Sequence, residues 1–176
     1  ITYGSEEQKQ RLLPRVAEGG LVSLVITEAG AGSDATGMKT RFEPHGDDIL
    51  VSGSKTFITS GDVADLLLVF GKWSEIADAK GAISALVVEK GTPGLSVLRT
   101  EDKLGHRASS TAALSFDGCR VPAGDLLGAQ GEGFRTFLKV LDGGRISIGA
   151  LAVGLAQAAL DAAVPYAQTR EQFGRP

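Results

Sequence analysis

Hydrophobic positions follow one period at the two ends of the chain and another in the middle. In residues 5–18, SEEQKQRLLPRVAE, Leu12, Leu13 and Val16 form an apolar edge on an otherwise polar helix. Ser5 and Gln8 have the spacing of a capping box, and Gly19-Gly20 ends the segment. Pro14 predicts an interruption of that helix, or the start of a second short one. From 21 to 125 helical spacing is absent. Short runs rich in Val, Ile, Leu, Phe and Thr take its place: 21–27, 48–53, 55–61, 64–71, 83–90, 95–100 and 111–116. Turn residues separate them at Gly46-Asp47-Asp48, Gly61-Asp62, Gly91-Thr92-Pro93-Gly94 and Asp117-Gly118, and Pro122 fits an exit linker. No helix-length crossover lies between the runs, which argues against a parallel βαβ sheet and for a sandwich or open barrel.

The tail, 126–176, reads as one long helix, with its periodic part at 133–173. Phe134, Phe137/Leu138, Leu141, Ile148, Leu151/Ala152, Leu155, Ala158/Ala159 and Ala162 trace one stripe. Val140, Ile146, Val153, Leu160 and Val164 lie off that stripe, so more than one side is apolar. About 35 helical residues span roughly 50 Å, longer than a small β domain. Pro165 predicts a kink or a break. Such a helix needs partners, either from a larger protein or from a second copy of the chain. The pattern as a whole predicts an α+β chain: a mainly antiparallel β sandwich or open barrel, preceded by a short helix and followed by a long one.

Composition narrows the functional classes. The net charge of −3 leaves no polyanion-binding footprint, so nucleic acid is excluded as an expected partner. Cys119 is the single cysteine and cannot form an internal disulfide, which fits a reducing, cytoplasmic location, or the mitochondrial matrix in a eukaryote. The longest uncharged apolar stretch, between Arg145 and Asp161, is shorter than a membrane span. His45 and His106 are far apart, and no residue spacing supports a metal site.

Four stretches could carry chemistry. TEAGAGSD (27–34) follows a strand-like run; its glycines allow close backbone approach, Thr27 and Ser33 offer hydroxyls, and its N–H groups could form an anion nest. A structural turn explains it equally well, and it is not a dinucleotide fingerprint. In GSKTFITSG (53–61), alternation puts Phe57 and Thr59 on one side, a platform for a flat ring with a hydroxyl at its edge, unless Phe57 is simply core. Lys55 near Gly53 lacks the remaining spacing of a phosphate loop. LDGGR (141–145) places Asp142 and Arg145 within pairing distance on a helix, and two interior glycines cost about 1 kcal/mol each. Close approach of a ligand or of another helix would offset that cost. In TREQF (169–173), Arg170 near Phe173 is either a phosphate and adenine clamp or an ordinary charged helix end.

Taken in order, the stretches EEQKQRLLPRVAEG, TEAGAGSD, VSGSKTFITSG, ADLLLVF, KLGHRASST, VPAGDLLGAQGEGF, LDGGRISIGALAVGLAQAALDAAVPYA and TREQFGRP closely resemble the acyl-CoA dehydrogenase family. They cover nearly the whole chain. The resemblance implies the end of an N-terminal helical domain (1–20), a complete middle β domain (21–125) and the start of a C-terminal four-helix domain (126–176), in a tetrameric full-length protein. It implies FAD as cofactor and α,β-dehydrogenation of an acyl-CoA thioester, with electrons passed to an electron-transferring flavoprotein. Leu24, Ile26 and Thr27 are implied neighbours of the isoalloxazine, together with Phe57, Ile58 and Thr59. Gly32 and Ser33 match the positions near the pyrophosphate and pantetheine. Leu141, Asp142 and Arg145 match the thioester and pantetheine channel. Arg170, Gln172 and Phe173 match the group that reaches a neighbouring subunit's FAD.

The chain departs from the family pattern at three informative places. Ala29 stands where the family has proline, and Ser60 where asparagine is commoner. Most members carry the catalytic glutamate beyond the region matched here, and a minority carry it immediately before the helix arginine; that position is Gly144. No catalytic residue is therefore assigned, and the chain is expected to be an inactive fragment whose uncovered helix seeks substitute contacts. A related flavoenzyme, such as an acyl-CoA oxidase or nitroalkane oxidase, and a non-enzymatic β domain acting in binding or assembly remain alternatives.

Overall fold

The computed structural model describes residues 2–176. Helix α1 spans Glu6–Ala17, with the capping box formed as the sequence predicts: Gln8 N–H donates to Ser5 Oγ at 3.1 Å and Ser5 N–H to Gln8 Oε1 at 3.0 Å. Pro14 neither interrupts the helix nor begins another. The bond its ring removes would have gone to the carbonyl of Gln10, an exposed residue that water can serve. Gln8 then fastens α1 to the β unit by donating Nε2–H bonds to Gly124 O (2.7 Å) and Leu126 O (2.8 Å). Arg11 pairs with Glu89 and Asp125, and Arg15 with Glu89.

Eight strands follow in one sheet: β1 (Val22–Val25), β2 (Arg41–His45), β3 (Asp48–Thr59), β4 (Leu66–Trp73), β5 (Ile83–Glu89), β6 (Leu95–Thr100), β7 (Thr111–Pro122) and β8 (Leu126–Leu127). The order is β6-β7-β3-β2-β4-β5-β8, with β1 added beside β4. Five pairings are antiparallel. β4 pairs in parallel with both β1 and β2.

Four details differ from the sequence reading. The runs at 48–53 and 55–61 are one strand, β3, with bulges at Val51/Gly53 and Lys55/Ile58. Asp117-Gly118 is not a turn between elements; β7 continues through it to Pro122, with Gly118 at φ +59° supplying the local distortion. β2 has no periodic apolar signal, because Phe42 is its single buried side chain. Leu126 and Leu127 belong to β8 rather than to a helix.

The core of the β unit gathers Val25, Phe42, Val51, Leu67, Val69, Leu86, Val88 and Leu114. Phe42 meets Trp73 edge-on, with ring centroids 6.0 Å apart. Trp73 Nε1–H donates to Ser84 Oγ at 2.7 Å, so the buried indole is satisfied. Gly71 is required beneath Phe42: a Cβ there would stand 2.5 Å from Phe42 Cε1.

The chain divides into two compact units after Thr136. The second consists of most of α2 (Gly133–Thr169) and the residues that follow it. α2 runs through Pro165 without ending, contrary to a break there, and stops at Thr169. From Leu138 onward every residue is exposed except half-buried Leu141, so the apolar stripe is uncovered as expected. A window that admits one or two charged residues makes α2 long and apolar enough, by length and composition only, to cross a membrane. The sequence expectation counted only the charge-free stretch.

Candidate functional site

The site is built where two sequence-distant segments lie side by side. Ser23 Oγ–H donates to Thr59 O at 2.6 Å, Lys55 Nζ to Ile26 O at 2.8 Å, and Thr56 N–H to Thr27 O at 2.9 Å. As the first segment advances from 23 to 27, its backbone partner retreats from 59 to 56, so the two run antiparallel. β1 turns Ser23 and Val25 inward and leaves Val22 and Leu24 exposed.

On β3, Ile49, Val51 and Lys55 share the inward face. Unbroken alternation would carry Phe57 and Thr59 inward with them. The bulge between Lys55 and Ile58, with Phe57 at φ +57°, reverses the parity. Thr56 and Ile58 then point in, while Phe57, 63% exposed, and Thr59 point out. Phe57 is therefore not core, and its same-side relation to Thr59 holds. Positive φ costs a phenylalanine of order 1–3 kcal/mol, a strain that clusters at functional positions.

The loop after β1 is held by its own backbone. Glu28 N–H donates to Ala31 O at 3.0 Å and Ala31 N–H to Glu28 O at 3.1 Å, closing the turn around Ala29-Gly30 without a proline. Ala31 and Ala35 are buried anchors, and between them Gly32 and Ser33 are exposed. A Cβ on Gly30 or Gly32 would meet nothing within 4 Å, so this stretch faces open space. Asp34 ends it by accepting from Thr36 N–H at 3.0 Å.

Beneath both segments lies an ion pair that the sequence reading missed. Lys55 Nζ donates to Glu28 Oε1 at 3.0 Å, with the lysine side chain fully buried. The same Oε1 accepts from Thr40 Oγ1 (2.6 Å) and Thr40 N–H (3.0 Å), and Oε2 from Lys39 N–H (2.6 Å). Burial opposes ionisation of Glu28, but the Thr40 hydroxyl, the two backbone N–H groups and the Lys55 charge together outweigh it and lower the pKa. Burial lowers the pKa of Lys55, and Glu28 opposes that shift. The signal was present: Lys55 shares the parity of Ile49 and Val51, so alternation alone buries it and demands an acidic partner.

Of the predicted residues, the structure thus brings together Leu24, Ile26, Thr27, Phe57, Ile58 and Thr59. Ile26 and Ile58 have buried side chains, and Ile26 presents its carbonyl to Lys55. A cavity of about 230 Å³ is lined by Asp62, Lys103, Arg107 and Ser110 among others, and the Ser110 carbonyl accepts from Ser60 N–H at 2.9 Å. Leu141, Asp142, Arg145, Arg170, Gln172 and Phe173 all belong to the second unit. There Arg145 pairs with Asp142 at 2.8 Å, and Gly143 and Gly144 face open space. Phe173 is fully exposed at φ +55°, in a turn closed by Gln172 N–H to Arg175 O at 2.9 Å. Among the described residues no acidic, histidine or cysteine cluster could hold a metal.

Residues 23–119 match the family model of the acyl-CoA dehydrogenase middle domain, and residues 131–176 that of the acyl-CoA dehydrogenase C-terminal domain. A probable acyl-CoA dehydrogenase of Bacillus subtilis, YngJ, is 48% identical over 99% of this chain and 46% of its own length. The butyryl-CoA dehydrogenase of Megasphaera elsdenii superposes with a TM-score of 0.93 at 41% identity, over 99% of this chain and 46% of that one. A chain in the solved structure of the electron transferring flavoprotein of Acidaminococcus fermentans gives 0.93 at 45% identity, with the same coverage. The chain therefore spans a little under half the length of these relatives. With its middle-domain match covering more than half of its residues, the chain belongs to the acyl-CoA dehydrogenase family.

Proposed function

We propose that this chain supplies the flavin-facing wall of an FAD-dependent acyl-CoA dehydrogenase, whose whole-protein reaction is α,β-dehydrogenation of an acyl-CoA thioester. The observation that carries the reading is the convergence of the two segments. Phe57 is a strained, outward aromatic side chain beside the Thr59 hydroxyl, and the Thr56 to Thr27 hydrogen bond joins them to the loop that follows β1. Exposed apolar surface next to hydroxyls and hydrogen-bonded backbone groups suits a planar ring with a polar edge. The residues present therefore fit FAD, which when bound supplies a two-electron acceptor.

Within that assignment each residue has a task its chemistry permits. Leu24 and Phe57 offer apolar surface to the ring, and Thr27 and Thr59 offer hydroxyl donors to its edge. Ser33 and the Gly32 N–H, both on open loop, offer donors to the phosphates or to pantetheine. On α2, Leu141, Asp142 and Arg145 are assigned to the thioester and pantetheine channel. Arg170, Gln172 and Phe173 are assigned to FAD of a neighbouring subunit in a homotetramer. The electron acceptor is an electron-transferring flavoprotein. The base that removes the α proton lies outside these residues, since Gly144 carries no carboxylate.

The test is uptake of FAD by the purified chain. Retention of flavin absorbance through gel filtration, quenched FAD fluorescence, and no turnover of acyl-CoA are the expected results. Wild-type chain that leaves FAD fluorescence unchanged at millimolar protein, or that dehydrogenates acyl-CoA unaided, overturns the reading.

A further inference from the structure

We infer that the buried Glu28–Thr40–Lys55 cluster is a positioning device, which locks the loop after β1 and the bulged end of β3 into one register. The inference rests on the flavin reading above for its purpose, but its geometry stands alone.

Each segment carries half of the proposed ring platform, and neither is fixed by ordinary sheet pairing with the other. β1 is zipped in parallel to β4, and β3 in antiparallel to β7. Between the β1 segment (22–27) and β3 the hydrogen bonds are few: Ser23 to Thr59, Thr56 to Thr27, and the Lys55 ammonium to Ile26 O. Lys55 makes the most central of these and extends it to Glu28 at 3.0 Å. Glu28 in turn ties the far side of the same loop to Lys39 and Thr40. One charged centre thereby holds the residue before Thr27, the residue after it, and the strand residue two places before Phe57.

The cluster sits directly at the bulge. The parity reversal that turns Phe57 outward begins at Lys55. A neutral side chain there would leave the Ile26 carbonyl without its donor and Glu28 without its counter-charge. The loop and the bulge would then be free to shift independently, although the hydrophobic core under them would persist. The consequence falls on geometry: Thr27 and Thr59 would no longer present their hydroxyls at a fixed separation.

Lys55→Met, Lys55→Arg and Thr40→Val chains test this. Trp73 fluorescence first shows whether each β unit is folded. Amide hydrogen exchange is then measured without flavin, and FAD affinity and the visible absorption band with it. In folded Lys55→Met, the amides of Thr56 and Ala31 should exchange at least 10-fold faster than in wild type. FAD should bind at least 10-fold more weakly, with a displaced visible band. Lys55→Arg should restore part of both effects, and Thr40→Val should show both in weaker form. Should Lys55→Met not fold, Thr40→Val against wild type decides by the same two readouts. Unchanged exchange overturns the inference, as does faster exchange with wild-type FAD affinity and spectrum. Failure of wild-type chain to take up FAD overturns the flavin reading instead, and the exchange result alone then decides the register role.

Discussion

The β unit and α2 treat their apolar residues in opposite ways. In the β unit, inward positions of six strands meet in one core, and even an ammonium and a carboxylate are buried with their partners in place. Along α2, Ile146, Val153 and Ile148 are respectively 78%, 71% and 65% exposed, and the charged residues Asp142 and Arg145 pair at the surface. Both regions are equally legible as secondary structure, yet only one is energetically self-sufficient. Helix propensity and periodicity shape α2, whereas tertiary burial stabilises the sheet. Perturbations should therefore be felt strongly in the first region and hardly in the second.

The largest effect is expected at Phe42. Its ring is fully buried against Trp73, so Phe42→Ala removes an aromatic contact and opens a cavity. A loss of about 3–5 kcal/mol is expected. Urea titration followed by Trp73 fluorescence reads it directly, because the only tryptophan lies in the same core. A loss below about 1 kcal/mol would show that the β unit is not held by this core.

Next comes the response to acid. The folded-state pKa of Glu28 lies below its ordinary 4.5. Its contribution to stability is thus complete above 4.5 and is lost as pH falls through the lower folded value. Asp125 runs the other way. Burial pushes it up from 3.8, against the pull of Arg11, so it opposes folding above its raised pKa and ceases to do so below 3.8. Urea midpoints between pH 3 and 7 should show a net fall that steepens below 4.5. Glu28→Gln should flatten that fall while lowering stability by about 3–5 kcal/mol at pH 7, since it strands a buried ammonium. Asp125→Asn should steepen it. A Glu28→Gln profile parallel to wild type would contradict the assignment.

A smaller effect separates the docked helix from the sheet. Ser5→Ala deletes the N-cap acceptor of α1 and should cost about 1 kcal/mol. Hydrogen exchange in the first turn of α1 should rise, while amides of β3 and β7 keep their protection. Equal loss of protection in β3 would mean that α1 and the sheet unfold as one.

The sequence revealed periodicity well and long-range pairing poorly. α1, its capping box, six of the eight strands (all but β2 and the two-residue β8) and α2 follow from local pattern. β2 does not, because Arg41, Glu43, Pro44 and His45 mask the single inward Phe42. The family loops were legible as motifs, but their meeting was not. It depends on hydrogen bonds that join residues 23–27 to 55–59, and no local period reports on pairs so far apart. The outward turn of Phe57 depends on a bulge, and a bulge is a choice of backbone geometry that alternation cannot predict. Pro14 and Pro165 misled for one reason: a helix tolerates the lost N–H where the orphaned carbonyl can bond to water.

The smallest expected effect bears hardest on the comparison. Leu155 is 61% exposed in the middle of the uncovered stripe. Leu155→Gln should move the urea midpoint reported by Trp73 by less than about 0.5 kcal/mol, as for a surface site remote from any packed feature. Solution behaviour should change instead. A contiguous apolar helix face exceeds what monomeric proteins leave open, and association through it should grow with concentration. Sedimentation velocity over a tenfold concentration range should show a smaller shift for Leu155→Gln than for wild type. If the variant destabilised the β unit by more than about 1 kcal/mol, the stripe would be contributing to that core, and the division between a self-sufficient sheet and an unpartnered helix would fail.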